Sequence, residues 1–85
     1  FMGTYAKDTY ETASRAALVG GTTTTIEMVC PARGDDPLAA YELWKSQAAG
    51  KSACDYAFHF GVTRFDAESP KVLQKIVDDG TASFK

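Results

Sequence analysis

The sequence carries few reactive side chains. Among its 85 residues there are two cysteines, Cys30 and Cys54, and one histidine, His59. Two cysteines are too few for a disulfide scaffold or an all-cysteine zinc site. The favoured reading is two reduced thiols, packed as small hydrophobes in a cytosolic protein. Charge of one sign is missing too: 9 basic and 11 acidic side chains give a formal net charge of -2. That leaves no basic stripe for a phosphate backbone, so no nucleic-acid partner is expected. Without a long apolar run or a basic leader, neither a membrane span nor a signal peptide is expected, and the expected location is the cytoplasm. What is present is apolar. Hydrophobic residues make up 45% of the chain, enough for one small core but short of most catalytic architectures. At this length, residues 1–85 are expected to be part of one larger domain, with no second domain among them.

Read along its length, the chain alternates helix and strand signals. "KDTYETASRAALVGG" predicts a helix with Asp8 as N-cap, Glu11 three residues on as in a capping box, and Gly20 and Gly21 as its stop. "TTTTIEMVC" is dense in β-branched residues and reads as a strand halted by Pro31. Asp36 is placed to cap a second helix with Pro37 in its first position, ending at Gly50 and burying Leu38, Tyr41, Trp44 and Ala48. "CDYAFHFGVT" alternates as a strand should. Ser69 and Pro70 open a third helix with an apolar stripe of Val72, Leu73, Ile76 and Val77, stopped by Gly80. "ASFK" then starts another strand. Strands recurring about every 30 residues with helices between them are βαβ units, which make neighbouring strands parallel. Three such strands with helices on one side leave the other side of the sheet bare, whereas parallel sheets are covered on both. A slice of a larger α/β protein is therefore expected, and a (β/α)₈ barrel of about 250 residues would be one-third supplied by it.

Period-two geometry assigns faces to the strands. In the second strand Tyr56, Phe58, Phe60 and Val62 are expected to meet the helices, and Asp55, Ala57, His59, Gly61 and Thr63 to face the barrel interior. The same parity sends Ile26, Met28 and Cys30 of the first strand to the helices and Thr25, Glu27 and Val29 inward. In the last strand Phe84 goes to the helices, and Ser83 and Lys85 inward. Each of the three neighbouring strands is thus expected to place an ionisable group, Glu27, His59 and Lys85, on the same face. Glu27 has a plain reading as a strand glutamate hydrogen-bonded to a neighbour, and a single His59 in a sheet reads first as a satisfied core histidine. Lys85 reads first as a strand-end lysine with its ammonium in solvent. Inward parity argues against that reading, because a desolvated lysine favours the free amine, the nucleophilic form. It also stands where barrel active sites are built, towards the carboxyl end of a strand.

Taken together, "FMGTYAKDTYETASRAALVGGTTTTIEMV", "CDYAFHFGVT" and "GTASFK" resemble the hydantoinase and dihydropyrimidinase branch of the cyclic amidohydrolases, over essentially all 85 residues. The resemblance implies a fragment of a (β/α)₈ barrel of the metal-dependent amidohydrolase kind, about three helix and strand units long. It implies that Lys85 is the catalytic lysine, carboxylated by carbon dioxide and bridging two divalent metal ions, which in that family are usually zinc. Two ions held this way lower the pKa of a shared water and polarise the ring carbonyl. The implied reaction opens a hydantoin or 5,6-dihydropyrimidine to an N-carbamoyl amino acid. The remaining ligands, histidines and an aspartate, would fall outside the 85 residues, so the segment alone is expected to be inactive. Phe1 and Met2 correspond to a loop at the mouth of the substrate pocket, and His59 and Glu27 are kept as structural or supporting residues. Implied partners are the cyclic amide substrate, the rest of the same barrel and further copies in a homodimer or homotetramer. Two other readings stand beside the enzyme. One is a non-catalytic relative that keeps the barrel and acts through protein partners; the other is a free-standing α/β module, disfavoured by the bare sheet face.

Overall fold

The computed structural model describes residues 6–85, so the expectations for Phe1 and Met2 lie outside the described residues. The elements follow the order helix, strand, helix, strand, helix, strand: α1 (Tyr10–Val19), β1 (Thr24–Val29), α2 (Pro37–Ala48), β2 (Asp55–Phe60), α3 (Ser69–Asp78) and β3 (Ser83–Phe84). The three strands form one sheet in sequence order, and both pairings are parallel. The βαβ expectation is therefore met.

Local chemistry explains where the helices begin. Asp36 precedes α2 in extended backbone, its carboxylate accepts the Leu38 N–H at 3.1 Å, and Pro37 takes the first turn, where its missing N–H costs nothing. We predict that Asp36→Ala costs about 1 kcal/mol of stability, read as a lower thermal midpoint. At α1 the cap differs from expectation. Thr9, not Asp8, is the N-cap, and its partner is Thr12 rather than Glu11. A threonine hydroxyl can donate and accept, so the Thr9 N–H donates to Thr12 Oγ1 at 2.9 Å while Thr9 Oγ1 accepts the Thr12 N–H at 3.3 Å. Asp8 instead accepts from the Thr12 hydroxyl, and Glu11 pairs with Arg15 one turn on at 3.0 Å. At α3 the N-cap is Glu68, which makes no side-chain cap bond, and the turn ahead of it is braced by Asp66. Its carboxylate accepts the Glu68 N–H, and its own N–H donates to Ser69 Oγ at 2.8 Å.

All three helices lie against the same side of the sheet. The core there comprises Val29, Tyr41, Ala48, Phe58, Phe60 and Ile76, with Tyr10, Leu38, Trp44, Val62, Val72 and Leu73 packed around it. Tyr41 meets Phe58 and Phe60 edge-on, at ring centroid distances of 6.1 and 6.3 Å. Val77 departs from the expected stripe and is exposed. At 100° per residue it stands about 100° round the helix from Ile76, off the face that meets the sheet. Among the described residues no helix is long and apolar enough to cross a membrane.

Candidate functional site

Pairing in a parallel sheet puts partnered residues on the same face, so the ladder decides where each candidate points. β2 matches expectation: Phe58 and Phe60 are buried beneath the helices, and His59 is on the opposite, open face. β1 does not. Glu27 pairs with Phe58 and Val29 with Phe60, while Ile26 and Met28 pair with Ala57 and His59. Val29 is fully buried under the helices and Ile26 is 68% exposed on the open face. The expected parity of β1 is thus inverted. The apolar Ile26 and Met28 lie on the open face, and the helix side holds Val29 together with Thr25 and Glu27, so apolar alternation pointed to the wrong face.

Glu27 accordingly lies on the other side of the sheet from His59 and Lys85. It borders an open crevice between α1 and α2 together with Tyr10, Trp44 and Lys51. Burial pushes the Tyr10 phenol up to about 12, and the negative charge of Glu27 adds to the rise. Since the folded-state pKa is raised, the stabilisation is fully present below the ordinary phenol value of 10.0 and is lost as the pH climbs towards about 12. Burial raises the Tyr41 phenol as well, so alkaline spectrophotometric titration should show late steps from both tyrosines. Tyr10→Phe should remove one of them, and Glu27→Gln should move the Tyr10 step to lower pH.

Lys85 follows β3 directly. Its N–H donates to Phe60 O at 2.9 Å and its carbonyl accepts the Val62 N–H at 2.8 Å. These two bonds flank Gly61, so Lys85 stands opposite Gly61 and on its face. That is also the face of His59 and of Ser83, which pair with each other. Lys85 is exposed. Gly61 puts no side chain beside it, and a Cβ there would meet Val29 O at 3.1 Å, so the glycine also lets β1 approach closely. The structure thus brings His59 and Lys85 to one face, with Lys85 at the carboxyl end of its strand, and leaves Glu27 out. No group of three or more histidine, cysteine, aspartate or glutamate side chains among the described residues could hold a metal ion. Both cysteines are free.

One cluster was invisible in the sequence. Asp79, just past α3, accepts from Tyr41 Oη and from Lys45 Nζ, both at 2.7 Å. The buried Thr81 donates to Tyr41 Oη at 3.3 Å. The Lys45 ammonium, then the Tyr41 hydroxyl, hold the Asp79 carboxyl below its ordinary value, and the bond to Asp79 raises Lys45. Partners 34 to 40 residues apart leave no spacing signal to read.

Comparison with known proteins adds the rest. Over all 85 residues the chain is 40% identical to a D-hydantoinase of Streptomyces coelicolor, and over its full length 38% identical to a dihydropyrimidinase of Dictyostelium discoideum. The solved D-hydantoinase from a Thermus species superposes on 99% of the chain with a TM-score of 0.93 at 60% identity. Along its whole length the chain is similar to hydantoinases and dihydropyrimidinases. No family model matches it. It spans 18% of the length of the Streptomyces protein and 17% of the Dictyostelium one. The hydantoinases it matches share its parallel α/β arrangement, and proteins of these names are cyclic amidohydrolases.

Proposed function

We propose that the chain is part of a (β/α)₈ catalytic barrel that hydrolyses a cyclic amide, a hydantoin or a 5,6-dihydropyrimidine, to an N-carbamoyl amino acid. The single observation that carries the reading is similarity to D-hydantoinases along the whole chain, including the strand that ends in Lys85. The barrel accounts for the bare sheet face: Ile26 and Met28 would be covered by strands and side chains from the rest of the protein. It also gives the open face of β2 and β3 its use, since an interior face at the carboxyl ends of strands is where such barrels build their sites.

Lys85 is the residue of this segment assigned to the chemistry. Its amine can add to carbon dioxide with loss of a proton, forming a carbamate that would help to hold two divalent ions, zinc by the family resemblance and compatible with nitrogen and oxygen donors, which other first-row metals also accept. Two such ions, when bound, supply Lewis acidity and an activated water. The residues present fit one bridging ligand and no more, and the other ligands would come from outside residues 1–85. His59, two residues before Gly61 on the same face, would support the site from below. Phe1 and Met2 would border the substrate. The whole protein is proposed to be a cytoplasmic homodimer or homotetramer.

The experiment is the mass of the full-length protein under native and denaturing conditions, with metal content measured on the same sample. A native excess equal to carbon dioxide and two divalent ions per chain, lost on acidification, is expected. A folded oligomer with neither would make Lys85 an ordinary amine and favour a non-catalytic scaffold.

A further inference from the structure

We propose that the hydrogen-bonded cluster between α2 and the start of β3 positions Lys85, with Tyr41 and Thr81 as positioning residues for the carbamate. The inference rests on the reading of Lys85 given above.

β3 is short. It pairs with β2 through Ser83 and Phe84, Lys85 adds two backbone bonds to Phe60 and Val62, and Phe84 is partly exposed although its ring meets Phe60 at 6.4 Å. Such a short strand is weakly specified, and a slip of one residue would carry every side chain to the opposite face. Lys85 would then point towards the helices and Phe84 away from them.

The residues just before β3 are held much more firmly. Gly80, at φ 115°, turns the chain out of α3, and the Thr81 N–H donates to Ile76 O at 3.2 Å. Thr81 is buried with its hydroxyl on Tyr41, so it points to α2. Ser83, two residues on, shares the face of His59. In a regular strand residues 81, 83 and 85 would share one face, so the chain must turn over between Thr81 and Ser83. Were Thr81 released, the turn-over between Thr81 and Ser83 would lose its anchor, and with it the hold that keeps β3 in the register that aims Lys85 inward. Tyr41 is itself well fixed: it is buried against Phe58 and Phe60, and its hydroxyl is oriented by Asp79, which Lys45 holds from the next turn of α2.

The test uses the full-length protein, stripped with a chelator and reconstituted with zinc over a series of bicarbonate concentrations. Carbamate occupancy is read from native mass and stability from thermal melting. Tyr41→Phe and Thr81→Val each delete one hydroxyl and keep shape. Each is expected to need about threefold to tenfold more bicarbonate for half-occupancy, as the loss of one oriented hydrogen bond implies, and to recover at high bicarbonate because the lysine is intact. Ile76→Val serves as the control. It removes a buried methyl from α3, so it should lower the melting midpoint without moving the bicarbonate midpoint. Wild-type bicarbonate dependence in both hydroxyl variants, or an equal shift in Ile76→Val, overturns the inference while leaving the functional reading intact. A wild-type protein that takes up no carbon dioxide overturns the functional reading, and this inference with it.

Discussion

On the proposed reading, Lys85→Ala in the full-length protein is expected to lower kcat/KM for hydantoin or dihydrouracil hydrolysis by about 10³-fold and to abolish uptake of the two proposed metal ions. The size follows from what the residue is proposed to supply. An anionic bridge between two divalent ions holds both at once, so its removal should empty the site rather than weaken one contact. Lys85→Arg is the informative companion. It keeps a cation of similar reach, but a guanidinium stays protonated and cannot take up carbon dioxide. If a positive charge at the strand end were all that mattered, the arginine variant would retain most of the activity. The carbamate reading requires it to be as inactive as the alanine variant and equally poor in metal. Full metal content and undiminished turnover in Lys85→Ala would remove the residue from the mechanism.

The sequence exposed the fold far more clearly than it exposed the site. Glycine, proline and aspartate sit at the element boundaries for reasons of backbone geometry, which is why Asp36, Pro37, Gly20 and Gly80 are legible in the sequence. β2 was equally readable, because bulky aromatics at every second position can only face the helices. β1 failed because its alternation is real but reversed: the apolar Ile26 and Met28 occupy the open face, whereas Glu27 shares the helix side with Val29. Only pairing could recover its parity: Val29 shares the buried side with Phe60, and Glu27 goes with it. Thr9 displaced Asp8 as a cap for a different reason, since two hydroxyls three residues apart satisfy each other in both directions. The network of Tyr41, Lys45, Asp79 and Thr81 joins segments that are distant in the chain. No local pattern encodes such a meeting; packing creates it.

The largest effect on stability is expected at Phe60, where Phe60→Ala should cost about 3–5 kcal/mol. Its side chain is 1% exposed and stands at the centre of the core, meeting the rings of Tyr41 and Phe84 and packing among Val29 and Ile76. Truncation removes the transfer energy of the ring and leaves a cavity that three surrounding elements cannot close, because each is tied to the sheet or to a cap. Phe60→Leu keeps most of the volume and should cost no more than about half as much. The consequence reaches Lys85, because the Phe60 carbonyl accepts its N–H and the Phe60 ring carries Phe84. Hydrogen exchange on the full-length protein should therefore show faster exchange at the Lys85 amide in Phe60→Ala than at amides near the start of β1. Uniform acceleration across the sheet would mean that Phe60 stabilises the domain as a whole and has no special hold on β3. A selective loss would place the aromatic core in the same chain of support as Tyr41 and Thr81, with the lysine at its end.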